Sequence, residues 1–327
     1  MTARKYAEAV RTRSALVVGD VCLDRWCRYA PSASEPSRET GIPRTAVVAT
    51  ETTPGAGGTI ANNLAALGVG RISVLGVAGD DGHGYELFAA LERRGISAEL
   101  MLREPEWTTF TYTKLINEET GVEDLPRIDF IPRRQLPEAV EARFIARLKE
   151  TAAGFDVVFI SDQAETGQSE VVTARVRETV AELAQRHPDR VFWADSRQRA
   201  QEFRRVALKP NEQEAARAIK QISGSSYSAL LKHTEARCLM VTLGERGAMV
   251  VDSSGERFVE SRHPRKPVDV CGAGDSFSAA AAMALALTGS PDEAARFGNL
   301  AAAITVMKPG TGTASGDELI ALEASGR

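Results

Sequence analysis

From residue 136 onward, short unbroken apolar runs alternate with longer stretches of mixed polarity. The runs at 157–160 and 191–194 read as buried strands. A strand covered on both faces has no polar side to show, so continuous apolar residues mark it. Helices are expected beside them, from about 138 to 151 and from about 170 to 186. Strands separated by helices of this length imply a parallel sheet with helices on both faces. Nearer the start, 15–18 predicts a first buried strand closed by Gly19-Asp20, 72–77 a further strand, and 85–94 a helix stopped by Gly95. A last helix face covers 299–307.

Other segments follow a different pattern. Residues 107–116 alternate Thr, aromatic and apolar side chains, and 127–131 form a second run after a polar turn, which predicts a hairpin. The strands 238–241 and 248–251, joined through Gly244 and Gly247, predict another. Residues 31–53 are rich in Pro, Ser and Thr with two β-branched clusters, and read as a loop or as short exposed strands. The polar and basic residues 1–14 read as a frayed extension or a short helix.

Composition narrows the function. The chain has 327 residues and a formal net charge of −4, which gives no electrostatic case for nucleic acid or an acidic membrane as partner. No run is long and apolar enough to span a bilayer, and the first residues lack a signal-peptide core, so a cytoplasmic protein is expected. Cys22, Cys27, Cys238 and Cys271 form no Cys-x-x-Cys pair, which argues for buried reduced thiols rather than zinc. No repeat, linker or low-complexity stretch divides the chain, so a single domain over 1–327 is expected.

Candidate chemistry concentrates in Asp269-Val270-Cys271-Gly272-Ala273-Gly274-Asp275-Ser276, which runs into Ala279–Ala282. Glycines at a helix start expose amides that attract phosphates. An acid in that first turn would repel such a ligand, unless it takes a proton from a hydroxyl attacking the phosphorus. The plain alternative is an acid complementing the helix dipole after a glycine turn. A second glycine-rich helix entry, Pro54-Gly55-Ala56-Gly57-Gly58-Thr59, continues through Asn62-Asn63 to a stop at Gly68. Asp24, Asp162 and Asp195 follow apolar runs, at the sheet edge where ligands of open α/β sheets bind. Asp80-Asp81 suits either a metal or a helix cap, and Asn211-x-x-Glu214 is a capping box by spacing. There is no Gly-x-x-x-x-Gly-Lys-Ser/Thr loop.

Together these motifs resemble the ribokinase/phosphofructokinase-B family of carbohydrate kinases, over roughly 14–322. The resemblance implies a ribokinase-like three-layer α/β/α sandwich with a mostly parallel sheet and a small β lid from about 24–53 and 107–131. It implies phosphoryl transfer from ATP, with Asp275 as base and Gly272, Ala273 and Gly274 stabilising the moving group. Asp24, Asp20, Gly57, Gly58, Thr59, Lys114 and Arg127 are the implied sugar contacts. Asn211, Glu214, Thr242, Gly244, Gly247 and Asn299 are the implied nucleotide contacts. Asn211 and Glu214 would hold Mg2+ through water, and Asp269 with the 308–312 loop would hold K+. A homodimer paired through the lid is a further expectation.

The likeness is greatest to the heptose-phosphate kinase branch, through Gly19–Arg25, Lys114-Leu115 and Arg127-Ile128-Asp129. Thr59 replaces a usual Asn, Ile116 a usual basic residue, and Gln163 follows Ser161-Asp162 as a further departure. The alternatives are a nucleoside or simple-sugar kinase of the same family, or a catalytically silent binding regulator on the same fold.

Overall fold

The computed structural model describes residues 1–163, 170–261 and 266–325. Its strands are β1 (Ser14–Gly19), β2 (Val21–Tyr29), β3 (Val47–Ala56), β4 (Arg71–Leu75), β5 (Val77–Gly79), β6 (Leu102–Glu104) and β7 (Thr111–Asn117). There follow β8 (Ile128–Phe130), β9 (Val157–Asp162), β10 (Val191–Ser196), β11 (Ala207–Leu208), β12 (Cys238–Thr242), β13 (Gly247–Asp252) and β14 (Gly255–Glu260). The helices are α1 (Ala3–Val10), α2 (Gly57–Leu67), α3 (Gly82–Glu92), α4 (Glu138–Thr151), α5 (Ala174–Arg186), α6 (Glu212–Gln221), α7 (Tyr227–Thr234), α8 (Ala273–Thr288), α9 (Pro291–Thr305) and α10 (Gly316–Ala324).

The main sheet has the order β14-β13-β12-β11-β10-β9-β1-β4. Strands β4 to β12 in that sheet run parallel, and β13 and β14 return antiparallel. Because side chains alternate along a strand, each apolar run feeds two cores. Ala15, Val17, Val157, Phe159 and Trp193 join one, under α1, α2, α8, α9 and α10. Leu16, Val18, Val158, Ile160 and Phe192 join the other, under α4, α5, α6 and α7. This is the expected three-layer arrangement.

Strand order reverses at β1, which has β4 on one side and β9 on the other. Ligands of such sheets bind at the carboxyl ends of strands beside that reversal. Asp20, Gln163, Arg197 and Lys209 follow β1, β9, β10 and β11 at this edge. A second sheet, β3-β2-β7-β8, stands beside it. Its register pairs Asp24 with Tyr112 and Trp26 with Lys114, so these four side chains share one face. Cys27, Tyr29 and Leu115 form a small apolar cluster with Leu125.

Several expectations need correction. Of the two readings of the first residues the short helix holds and the frayed extension does not: Tyr6 is buried in α1 and its hydroxyl donates to the Ala280 carbonyl at 3.1 Å. The run at 72–77 is broken at Gly76, where the chain leaves the main sheet and β5 pairs with β6. The strand expected from 107 starts at Thr111, because Trp107 and Phe110 are packed into the main core. Residues 31–46 are mostly irregular, while 47–56 form one long strand. Helix α5 starts at Ala174, with Thr173 as its N-cap, and not near 170. The helix-cap reading of Asp80-Asp81 holds without correction: Asp81 caps α3, accepting from Gly84 N at 2.7 Å and from the Thr109 hydroxyl at 2.8 Å. Among the cysteines Cys22, Cys27 and Cys238 are buried, but Cys271 is exposed.

Candidate active site

Helix α8 begins on Gly272, whose φ of +77° is a left-handed conformation that a side chain would strain. The first helical hydrogen bond runs from Ser276 N to Gly272 O. Amides before Ser276 therefore have no partner within the helix, and the positive end of its dipole lies there. Ala273 N is partly spent, donating to Val270 O at 3.3 Å.

This turn separates two cavities. The smaller, of about 200 Å³, has Gly272 and Asp275 in its wall with Cys271 and Thr311. Asp24, Trp26, Tyr112 and Lys114 of the second sheet line it, with Arg127 just before β8, and Gln163 and Arg197 line it from the main-sheet edge. The larger, of about 320 Å³, has Ala273 and Gly274 in its wall. Asn211, Thr242, Gly244, Gly247 and Asn299 line it, with an apolar patch of Phe277, Ala302, Ala303 and Val306. One turn thus offers a carboxylate to one cavity and glycine backbone to the other.

Lys209 stands at the seam. A side-chain carbon at Gly274 would lie 3.2 Å from its ammonium, which is paired with Asp195 at 2.9 Å. Burial opposes the charge on Lys209, but the carboxylates of Asp195 and Glu214 outweigh it and raise the pKa. Ser278 of α8 also donates to Asp195, at 3.1 Å. Asp275 is pushed up to about 7, first by burial and then by the charge of Asp195, with Lys209 and Arg197 opposing. Burial also raises Asp24, to about 6. A carboxylate near pH 7 is well matched to accepting a proton.

The cations of the second sheet rest on aromatic rings. The Lys114 ammonium lies 4.6 Å from the Trp26 ring centre, and the Arg127 guanidinium carbon 4.7 Å from that of Tyr112. Each also has a carboxylate partner, Glu123 at 3.6 Å and Asp129 at 2.7 Å.

Of the residues singled out in the sequence, Thr59 lines the smaller cavity but Asp20, Gly57 and Gly58 do not. Asp20 accepts from Gln163 N at 2.7 Å and Val171 N at 3.3 Å, fixing the chain after β9. A side chain at Gly57 would meet the Asp20 carbonyl at 2.9 Å, so this glycine serves close packing against the sheet. Asp162 is fully buried in an ion pair with Arg199 and lines neither cavity. Asn211 and Glu214 form the capping box of α6. Glu214 Oε2 serves the cap, and Oε1 has no hydrogen-bond partner among the described residues. Among those residues no group of three or more His, Cys, Asp or Glu could hold a metal. Asp269 ties two loops, accepting from Cys271 N at 2.9 Å and Gly310 N at 3.1 Å. Asn299 donates to the Val259 carbonyl of β14 at 3.0 Å.

Sequence reasoning passed over Trp26, Tyr112, Arg197, Lys209 and Gly55. Lys209 had a signal, as a lysine directly after a strand at the ligand edge. Gly55 had none: it pairs with Cys22 across the sheet, and the Asp24 carboxylate two residues along folds over it, where any side-chain carbon would collide with it. Only the strand pairing reveals that.

Residues 13–317 match the family described as pfkB family carbohydrate kinase. The chain is 30% identical over 321 residues to the bifunctional protein HldE of Bradyrhizobium sp. (strain ORS 278), covering 96% of this chain and 64% of that protein. It is 32% identical over 329 residues to the bifunctional protein HldE of Caulobacter sp. (strain K31), covering 98% of this chain and 65% of that protein. The chain therefore spans just under two thirds of the length of these curated relatives. Among solved structures, phosphofructokinase-2 from Escherichia coli in complex with potassium gives a TM-score of 0.72 at 21% identity, covering 96% of this chain and 98% of that one. Ribokinase from Thermotoga maritima gives 0.69 at 22% identity, covering 95% and 99%. At these identities the two structures speak for the fold.

Proposed function

The chain belongs to the pfkB family of carbohydrate kinases, and on that premise we propose that it transfers the γ-phosphoryl group of ATP to a hydroxyl of an anionic sugar. The observation that carries this is the turn from Gly272 to Asp275 standing between two cavities, with the carboxylate in one and glycine backbone in the other. The sugar occupies the smaller cavity and the nucleotide the larger.

The acceptor oxygen bonds to the γ-phosphorus as the bond from that phosphorus to the β,γ-bridging oxygen breaks. ADP departs with the electron pair, and the hydroxyl proton passes to Asp275. Free amides at the start of α8 and the Lys209 ammonium stabilise charge on the moving group. Thr242, Gly244 and Gly247 contact the nucleotide, and Asn299 stands beside the apolar patch that takes the base. Magnesium, when bound, supplies charge neutralisation on the phosphates. Asn211 and Glu214 fit its water shell, because the capping box leaves one carboxylate oxygen over and magnesium retains several waters. The Asp269 carboxylate keeps lone pairs beyond its two amide bonds, which fits a monovalent cation such as K+.

Lys114, Arg127 and Arg197 around one small cavity suit an acceptor that already carries phosphate. With the likeness to the heptose-phosphate kinase branch, a heptose phosphate is the proposed acceptor. The second sheet acts as a lid within a single kinase unit. Its exposed Val47, Val48, Ile128 and Phe130 suit pairing with a second copy. No helix among the described residues is long and apolar enough to cross a membrane, and the cytoplasm is the proposed location.

The test is an ADP-release screen over sugars, sugar phosphates and nucleosides. Sugar phosphates should turn over fastest. Nucleotide binding without ADP formation across the whole panel would overturn the kinase reading in favour of a silent regulator.

A further inference from the structure

The residue after Asp275 faces away from both cavities. Ser276 is fully buried, and its hydroxyl donates to Asn63 Oδ1 at 2.7 Å. Asn63 donates in turn through Nδ2 to the Thr59 carbonyl at 2.9 Å. On the other side the Thr305 hydroxyl donates to Ser276 Oγ at 2.7 Å. All three side chains are 1% exposed or less. The Asn63 amide nitrogen must serve the Thr59 carbonyl, so Oδ1 accepts from Ser276, and Ser276 Oγ is left to accept from Thr305.

This directed chain joins three helices near the site. It reaches α2 at Thr59, in the wall of the smaller cavity, and α9 at its last residue. One residue further, the Val306 carbonyl accepts from Val268 N at 2.7 Å and Asp269 N at 3.1 Å, holding the backbone that enters the glycine turn. The rest of α8 is mostly apolar, with Ala279–Ala282 buried against the core, and Ser278 adds a second directed bond, to Asp195 at 3.1 Å. Packing of small apolar side chains resists rotation of a helix weakly, whereas a buried hydrogen bond is directional and costly to leave unmade. Successive residues of a helix project about 100° apart. Fixing the direction of Ser276 therefore fixes the direction of Asp275.

We propose that Ser276 is a positioning residue, which through Asn63 and Thr305 sets the rotation of α8 and so the aim of Asp275 at the acceptor hydroxyl. This rests on the phosphoryl-transfer reading above. The experiment compares Ser276→Ala, Ser276→Thr and a control, Thr234→Ala, using the full chain with ATP and the best acceptor from the screen. Thr234 is equally buried, and its hydroxyl donates to the Leu230 carbonyl in α7 at 2.8 Å, outside both cavities.

Ser276→Ala should lower kcat per folded molecule by about tenfold to hundredfold, the scale of a small misplacement of reacting groups. ATP affinity should stay at the parent value, and Ser276→Thr should restore most of kcat. Thr234→Ala should lower Tm without lowering kcat. If Ser276→Ala does not fold, Thr305→Val removes the outer link at constant shape and is read in the same way. A folded variant with parent kcat, or a folded Thr variant that restores nothing, would overturn the positioning role. A parent that turns over no acceptor would instead bring down the kinase reading, and this role with it.

Discussion

The site has one wall on the main sheet and one on the second sheet, and they hold their charges by different means. On the main sheet Lys209 and Asp195 are paired at 2.9 Å with side chains 6% and 7% exposed. Helix α8 adds Ser278 to the same carboxylate. On the second sheet Lys114 and Glu123 are 3.6 Å apart and 30% and 36% exposed, and Arg127 and Asp129 are 44% and 32% exposed. Exposed pairs of that kind contribute about 0–1 kcal/mol, whereas removing one partner of a buried pair costs about 3–5 kcal/mol. The groups that would handle the phosphoryl group are thus locked into the fold. Those that would read the acceptor can be exchanged at little cost to it, so acceptor choice can change while the transfer machinery stays.

The sharpest test of that contrast is stability. Lys209→Met leaves Asp195 buried without its cation and should cost about 3–5 kcal/mol in urea unfolding. Lys114→Met should cost less than about 1 kcal/mol. Equal costs would dissolve the distinction between the walls. The next effect is on acceptor recognition. Arg127→Met should lower kcat/KM for a sugar phosphate by roughly tenfold to hundredfold, the value of one charged hydrogen bond of about 1.5–3 kcal/mol. The KM for ATP should not move, and an equal loss for a neutral sugar would remove the anion-reading role.

The pH dependence sharpens the picture of the main-sheet wall. Asp275 has its pKa raised from 3.8 to about 7, chiefly by burial. Between these values the unfolded chain has lost a proton that the folded chain keeps. The group's contribution to stability is therefore full at low pH and declines as pH rises through about 7. Asp275→Asn escapes that decline, and should gain about 1–3 kcal/mol over the parent at pH 8 relative to pH 4, after allowance for screening. Thermal unfolding at both pH values checks it, and an unchanged difference would mean an ordinary surface carboxylate. The smallest effect is at Asn211, where Asn211→Ala removes the α6 cap and should cost about 1 kcal/mol, seen as a lower Tm. If nucleotide affinity falls as well, Asn211 serves the larger cavity in addition to the helix.

Much of the fold was legible because β1, β9, β10 and β12 are buried on both faces and read as unbroken apolar runs. Strand β14, with the sequence Gly-Glu-Arg-Phe-Val-Glu, escaped notice because an edge strand open to solvent carries charges. The break at Gly76 escaped because both flanking segments are apolar, and only pairing partners separate β4 from β5. Around the smaller cavity, the glycine turn, Asp275, Asp24, Lys114 and Arg127 were legible, since they follow from local backbone geometry or from a motif. Asp20 and Asp162 line neither cavity, which was not legible because a carboxylate at a strand end looks the same whether it faces a ligand or ties a loop. The Lys209–Asp195 pair and the Ser276 chain join residues far apart in sequence, and no local pattern announces such partners.

In the proposed reaction the Gly272–Asp275 turn binds phosphate through backbone and moves a proton through its carboxylate. The most direct measurement is kcat and ATP affinity of Asp275→Asn beside the parent protein. Asn keeps the size and the first-turn position, so the fold and the two cavities should persist. ATP affinity should equal or exceed the parent's, because a negative charge beside the γ-phosphate is lost. The kcat should fall by about 10²–10⁴, the range of a missing general base. A folded Asp275→Asn protein with a kcat near that of the parent would contradict it, and would reduce the turn to a phosphate-binding element.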